Sequence, residues 1–108
     1  MELGWKVWIK DNESKIFGKG PRSLLVKVEE LGSLRKAAIA MNMSYSKAWN
    51  LISKMEDVLG FTVLEKQIGG VSGGGSTLTK EAKDLMKKFN NFEFEAQKTL
   101  EKIYKKYF

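Results

Sequence analysis

The feature that most limits how this chain can fold lies near its end, where no glycine or proline interrupts the sequence from Lys80 to Tyr107. Apolar residues recur there at helical spacing, as Ala82, Leu85, Met86, Phe89, Phe92, Ala96, Leu100, Ile103, Tyr104 and Tyr107. One unbroken helix over this span is roughly 42 Å long at a rise of about 1.5 Å per residue. A compact domain of this chain's size is only about 35 Å across, so part of the helix is expected to project. Ala82, Phe89, Ala96 and Ile103 repeat every seven residues, with Leu85, Phe92, Leu100 and Tyr107 at the intervening positions. That is the seam of a coiled coil, and a projecting seam needs a partner. These eight residues are expected to form a homodimer interface; a helix folding back on its own domain is the competing outcome.

The whole chain has 108 residues, enough for one modest core and too few for two. It contains no cysteine and no histidine. The first absence excludes disulfides, thiolate metal sites and thiol nucleophiles. The second removes the usual general base and the commonest metal ligand. No paired carboxylates stand around a recognisable cleft motif, so the chain is expected not to be an enzyme and to need no cofactor or metal. The longest apolar run, Ala37 to Met41, is far too short to cross a bilayer, and the N-terminus lacks the layout of a secretion signal. The acids of the last helix also speak against a membrane-surface role. The net charge is +6, which leans toward polyanionic partners.

Part of that charge has an address. From Leu31 to Met55 there is no acid, while Arg35, Lys36, Lys47 and Lys54 are basic. Residues Trp5, Val7 and Ile9 alternate with Lys6, Trp8 and Lys10, a strand pattern, and Asp11-Asn12-Glu13-Ser14 is turn chemistry before a return strand at Lys15-Ile16-Phe17. Pro21 suits the first position of a helix carrying Leu24, Leu25, Val28 and Leu31, which Gly32 ends. Ser33 caps a short helix from Leu34 to Met41, and Ser44 caps a longer one from Tyr45 to Leu59, ended by Gly60. Two helices joined by so short a connector follow the helix-turn-helix plan. A strand over Phe61 to Lys66, a glycine-rich loop, a return strand at Thr77-Leu78 and a helix capped by Thr79 complete the order of a winged helix. The fold class expected is therefore α+β, mainly α: a winged helix-turn-helix with an N-terminal hairpin over residues 1–79. The long helix over residues 80–108 belongs to the same structural domain.

On the helix over residues 45–59, Ala48, Ile52, Met55 and Leu59 share one face, with Leu51 and Val58 beside them. The opposite face carries Ser46, Lys47, Asn50, Ser53, Lys54 and Asp57. Short hydroxyls and an amide can meet base edges in a major groove, and flanking lysines can meet phosphates. Any solvated helix face is polar, but here acids are missing from its first two-thirds. The helix start at Ser44 and Tyr45 also presents free backbone N–H groups to anions. Trp49 falls between the two faces and is expected to pack the core, as buried aromatics usually do.

The loop Gly69-Gly70-Val71-Ser72-Gly73-Gly74-Gly75-Ser76 has the glycine spacing of a phosphate loop. Ser76 stands where such a loop needs lysine, so nucleotide binding is rejected. The loop is either a flexible hairpin tip or a wing, over residues 67–76, whose backbone N–H groups touch DNA phosphates at Gly70, Gly73 and Gly74. Lys66 and Lys80 bracket it.

Three segments together carry a resemblance: Leu31-Gly32-Ser33-Leu34-Arg35-Lys36-Ala37-Ala38, Met43-Ser44-Tyr45-Ser46-Lys47-Ala48-Trp49, and Gly69 through Thr79. This combination resembles the N-terminal DNA-binding domain of ModE-type molybdate-responsive regulators and, more distantly, the LysR-type winged helix. It spans about residues 21 to 90, and the preceding hairpin resembles short members of that family. The resemblance implies a bacterial or archaeal transcription regulator, cytoplasmic and associated with the nucleoid, that dimerises through its last helix. It implies DNA contacts from Ser44, Tyr45, Ser46, Lys47, Asn50 and the wing glycines. In that family an aspartate often follows the tryptophan; here Asn50 does, so a different base preference is expected. The oxyanion-binding domain of that family is not among these residues, and direct molybdate sensing is not expected of them.

The function expected is sequence-specific binding of double-stranded DNA by a homodimer, through Arg35, Ser44, Tyr45, Ser46, Lys47, Asn50, Ser53, Lys54, Lys66 and the wing, with a link to molybdenum genes open. The alternative is a winged helix used as a protein-interaction module, whose Phe92, Phe94, Tyr104, Tyr107 and Phe108 dock a separate effector-sensing protein.

Overall fold

A computed structural model describes residues 1–67 and 75–108. Its elements run β1 (Ile9–Asp11), β2 (Ser14–Phe17), α1 (Lys19–Leu31), α2 (Leu34–Ala40), α3 (Tyr45–Leu59), β3 (Leu64–Gln67), β4 (Gly75–Leu78) and α4 (Lys80–Tyr107). Two antiparallel hairpins, β1-β2 and β3-β4, flank the helices. The architecture is the winged helix that the order of elements implied.

Local chemistry sets most of the boundaries. Ser33 Oγ accepts from the Lys36 N–H, Ser44 Oγ from the Lys47 N–H and Thr79 Oγ from the Ala82 N–H, so each hydroxyl satisfies one of the free donors of a first turn. Gly32 and Gly60 end α1 and α3 in the left-handed region, at φ 72° and 78°. The connector between α2 and α3 is tight: Asn42 has φ 56° and the Met43 N–H reaches back to the Ala38 carbonyl at 3.0 Å.

Several boundaries differ from the expectation, each through its partners. The first strand was expected over residues 5–9 but begins only at Ile9, because β2 is four residues long and α1 starts directly after Gly18, leaving no ladder for Trp5 to Trp8. Pro21 is not the first residue of α1 but the third, still within the turn whose N–H groups lack helical acceptors. Leu31 and Val58, placed on or beside the core stripes, are exposed. The strand expected from Phe61 begins at Leu64, because the residues before it are pinned to helices. Glu56 accepts from the Val63 and Leu64 N–H groups at 2.8 and 3.4 Å, and the Val63 carbonyl accepts from the Thr79 N–H at 3.0 Å. Its partner β4 starts at Gly75, earlier than the expected Thr77, in the register Leu64↔Leu78 through Gln67↔Gly75.

One core joins all of this. Phe17 from β2, Leu24, Leu25 and Val28 from α1, Ala37 and Ala38 from α2, Ala48, Ile52 and Met55 from α3, and Val63 and Leu78 from the wing are buried together with Ala82 and Phe89 of α4. Ala37, Ala38 and Ala48 carry only a methyl group, which lets the helices approach closely.

The division of α4 is a correction to the seam. Ala82 and Phe89 are sealed inside the chain's own core, and Leu85 packs against it, so these three are not free for a partner. Phe89 meets Phe17 edge-on at 5.1 Å and lies 5.1 Å below the Arg22 guanidinium, whose Nη1 also donates to Glu93 and Asn90 at 2.8 and 2.9 Å. Lys83 of α4 also lies 3.9 Å from Glu29 of α1, and among the described residues no ion pair ties the part of α4 after Glu93 to the domain. The molecule measures 57 × 27 × 23 Å, and the distal half of α4 accounts for the long dimension. Phe92, Ile103 and Tyr107 are exposed along it, with Ala96 and Leu100 half-buried between them. Folding back and projecting both occur, one in each half of the same helix.

Candidate nucleic-acid interface

The geometry starts from the core side of α3. With Ala48, Ile52 and Met55 buried against α1 and α2, helical periodicity turns Ser46, Lys47, Asn50 and Lys54 outward. Ser44, Ser46, Lys47, Asn50, Leu51 and Lys54 line one open concavity of about 620 Å³. Five of the residues expected to meet DNA are thus brought onto one surface, which carries two hydroxyls, an amide and two lysines. Ser53 is only half-exposed, further along the same helix.

Neighbouring elements add to this surface from both sides. Arg35 of α2 lies over the Tyr45 ring at 4.3 Å, which joins the two helices at the first turn of α3. That distance is within the range of a cation–π contact. It holds a guanidinium beside the helix N-terminus, where free N–H groups already favour anions. On the hairpin side, Lys54 Nζ donates to Ser14 Oγ at 2.8 Å. On the wing side, Lys66 Nζ sits 5.7 Å from the centroid of Trp49.

Trp49 overturns an expectation. It is not a core residue: 44% of it is exposed, on the flank of α3 that faces β3. The buried cluster includes Ile52 of α3 and Val63 and Leu78 of the wing but not Trp49, whose indole stays outside with Lys66 above it.

Glu56 is a residue that sequence reasoning missed. The only clue to it was an acid next to the core stripe; its acceptors' partners lie in the next element. By taking the Val63 and Leu64 N–H groups it fixes the wing to α3. The base of the wing is held twice more. Thr79 Oγ donates to the Thr62 carbonyl at 2.6 Å, and the Ser76 N–H donates to the Gly32 carbonyl at 2.8 Å. Gly75 is required there, because a Cβ at that position would lie 2.5 Å from the Gly32 carbonyl oxygen. The wing residues Gly70, Gly73 and Gly74 lie outside the described residues.

The surface offers little to other chemistries. Among the described residues no group of three or more Asp or Glu side chains could hold a metal ion, and no helix is long and apolar enough to cross a membrane.

Comparison with known proteins places this geometry. The family model described as bacterial regulatory helix-turn-helix protein, LysR family, matches residues 23–83. The transcriptional regulator ModE of Haemophilus influenzae is 33% identical over 70 residues, covering 65% of this chain and 28% of that protein. The molybdenum transport protein ModE of Azotobacter vinelandii is 30% identical over 80 residues, covering 74% of this chain and 30% of that protein. The chain thus spans less than a third of the length of these curated relatives. Among solved structures, a CbnR_DBD–DNA complex shares the fold with a TM-score of 0.56 at 18% identity, over 79% of this chain and 92% of that one.

Proposed function

The chain belongs to the LysR family of bacterial regulatory helix-turn-helix proteins, and from that premise we propose that it is a homodimeric, sequence-specific reader of double-stranded DNA. In this reading α3 enters the major groove and presents Ser46, Lys47 and Asn50 to base edges and neighbouring phosphates. Arg35, Lys54 and Lys66 neutralise the backbone on either side, and the wing glycines Gly70, Gly73 and Gly74 add backbone N–H contacts. The observation that carries the reading is the acid-free concavity, where Ser44, Ser46, Lys47, Asn50 and Lys54 converge directly opposite the buried stripe of α3.

Dimerisation falls to the distal half of α4, through Phe92, Ala96, Leu100, Ile103 and Tyr107. Two copies joined there would set two α3 helices on successive major grooves, about one helical turn of DNA apart. The reading extends to targets among genes of molybdate transport or molybdenum metabolism and to a cytoplasmic place beside the chromosome; its support is that relatives are named as a transcriptional regulator and a molybdenum transport protein. A signal, where one acts, would reach these residues from elsewhere.

The aromatic end of α4 favours one second reading. Phe94 is exposed, and Tyr104 stacks on Phe108 at 5.3 Å, so a sensor protein docking there is the alternative to self-association.

The test is selection from a random-sequence duplex pool, followed by titration across a salt series. Specific binding is expected to enrich a two-fold symmetric sequence and to weaken steeply as salt rises and phosphate contacts release counterions. A pool that stays unenriched, with binding indifferent to salt, would contradict the reading.

A further inference from the structure

The exposed indole of Trp49 has a cost that packing does not recover. A tryptophan is the largest apolar side chain, and leaving 44% of it in water forgoes part of the gain from burying it. Ala48 and Ile52 complete the buried stripe of α3 without it. Helical spacing puts Trp49 one turn from Tyr45 and from Ser53, and beside Asn50. The indole therefore lies along the edge of the same surface that carries the amide. Lys66 Nζ, 5.7 Å from the ring centroid, marks where the phosphate backbone would run beside it.

We infer that Trp49 is a specificity-determining residue that reads the 5-methyl group of a thymine in the major groove. The inference rests on the assignment of α3 as the groove helix. The argument is one of chemical complementarity. The thymine methyl is the one apolar group that base pairs present in the major groove. Ser46, Lys47, Asn50 and Lys54 end in polar groups and Leu51 is half-buried, whereas the exposed flat face of Trp49 offers a larger apolar contact. Asn50 can pair bidentately with an adenine, so the amide and the indole together suit adjacent A·T pairs. Lys66, held over the ring by cation–π attraction, supplies the phosphate contact on the same side.

Deoxyuridine differs from thymidine only by that methyl, so it isolates the contact. Duplexes enriched from a random pool by the full chain are resynthesised with each thymine replaced in turn by deoxyuridine. At one thymine per half-site, wild-type affinity is expected to fall about fourfold, the equivalent of losing one buried methyl group. Trp49→Ala is expected to bind the two duplexes equally at that position, with an unchanged dependence of affinity on salt, because no charge is removed. Trp49→Phe, which retains a ring in the same place, is expected to show an intermediate ratio and covers the case in which the alanine variant fails to fold. Lys66→Ala is expected to keep the thymine preference and to lower the salt slope by about one.

The inference is overturned by wild-type binding that ignores deoxyuridine at every position, or by Trp49 variants that keep the full thymine preference. It is also overturned when Trp49→Ala lowers the salt slope as Lys66→Ala does, which would make the indole only a prop for the lysine. An unenriched pool fails earlier, and refutes the assignment of α3 itself.

Discussion

Phe89 and Phe92 stand one helical turn apart on α4 and belong to the same apolar seam, yet the structure gives them opposite tasks. Phe89 is 2% exposed and Phe92 53%. Burying a phenylalanine side chain is worth about 1.5–3 kcal/mol, and the edge-on contact with Phe17 at 5.1 Å adds about 0.5–1.5 kcal/mol. Truncation also leaves a cavity between β2, α1 and α4 that these rigid elements cannot fill. Phe89→Ala is therefore expected to cost about 3–5 kcal/mol, a large part of the roughly 5–15 kcal/mol that holds a domain of this size folded. Phe92→Ala removes a ring that already faces water, and within one protomer it is expected to cost less than about 1 kcal/mol. Urea unfolding of both variants, at protein concentrations low enough to suppress association, separates the two. A lower midpoint with an unchanged slope is expected for Phe89→Ala alone. Equal losses would refute the division of α4 into a core half and a free half.

Three other substitutions test separate parts of the structure. Ile103→Glu places a charge in the distal seam and is expected to convert a dimer into a monomer in sedimentation without lowering protomer stability; a monomeric wild type at micromolar concentration would contradict the proposed assembly. Gly75→Ala forces a Cβ against the Gly32 carbonyl at 2.5 Å. It should destabilise by about 1–3 kcal/mol, the usual scale of overpacking, measurable by thermal unfolding. Thr79→Ala removes both the cap of α4 and the bond to the Thr62 carbonyl. A loss of about 1–3 kcal/mol is expected, since each such hydrogen bond contributes about 0.5–1.5 kcal/mol.

What could be read in the residues before any coordinates follows the range of the interactions involved. Ser33, Ser44, Thr79, Gly32 and Gly60 act on their own turns, so the helix ends were legible within a residue or two. The stripe Ala48, Ile52, Met55 depends only on helical period, and with it the outward face of Ser46, Lys47 and Asn50. Trp49 was misplaced because periodicity puts it at a boundary between the buried and polar faces, and its neighbour there, Lys66, comes from the wing, further along the chain. Glu56 and Gly75 act on backbone atoms far along the chain, at Val63 and Gly32, and local pattern carries no trace of such partners. The seam of α4 was read correctly as apolar, but heptad spacing cannot tell whether Phe89 meets a second copy or Phe17 of its own chain. The hairpin was shortened for the same reason: the alternation from Trp5 to Ile9 is a strand pattern, and only the length of β2 decides how much of it finds a ladder.

The central claim is that α3 reads DNA, and the contrast between Asn50 and Lys47 addresses it most directly. Both line the same concavity, but in the proposed reading the Asn50 amide meets a base edge and the Lys47 charge a phosphate. Against the sequence enriched by wild type and its single-base variants, Asn50→Ala is expected to lose discrimination at one position per half-site, by about 1–3 kcal/mol. Lys47→Ala should weaken binding to all duplexes alike and lower the salt slope by about one. Two variants that bind every duplex as wild type does, with the same salt slope, would contradict the claim that this face of α3 meets DNA.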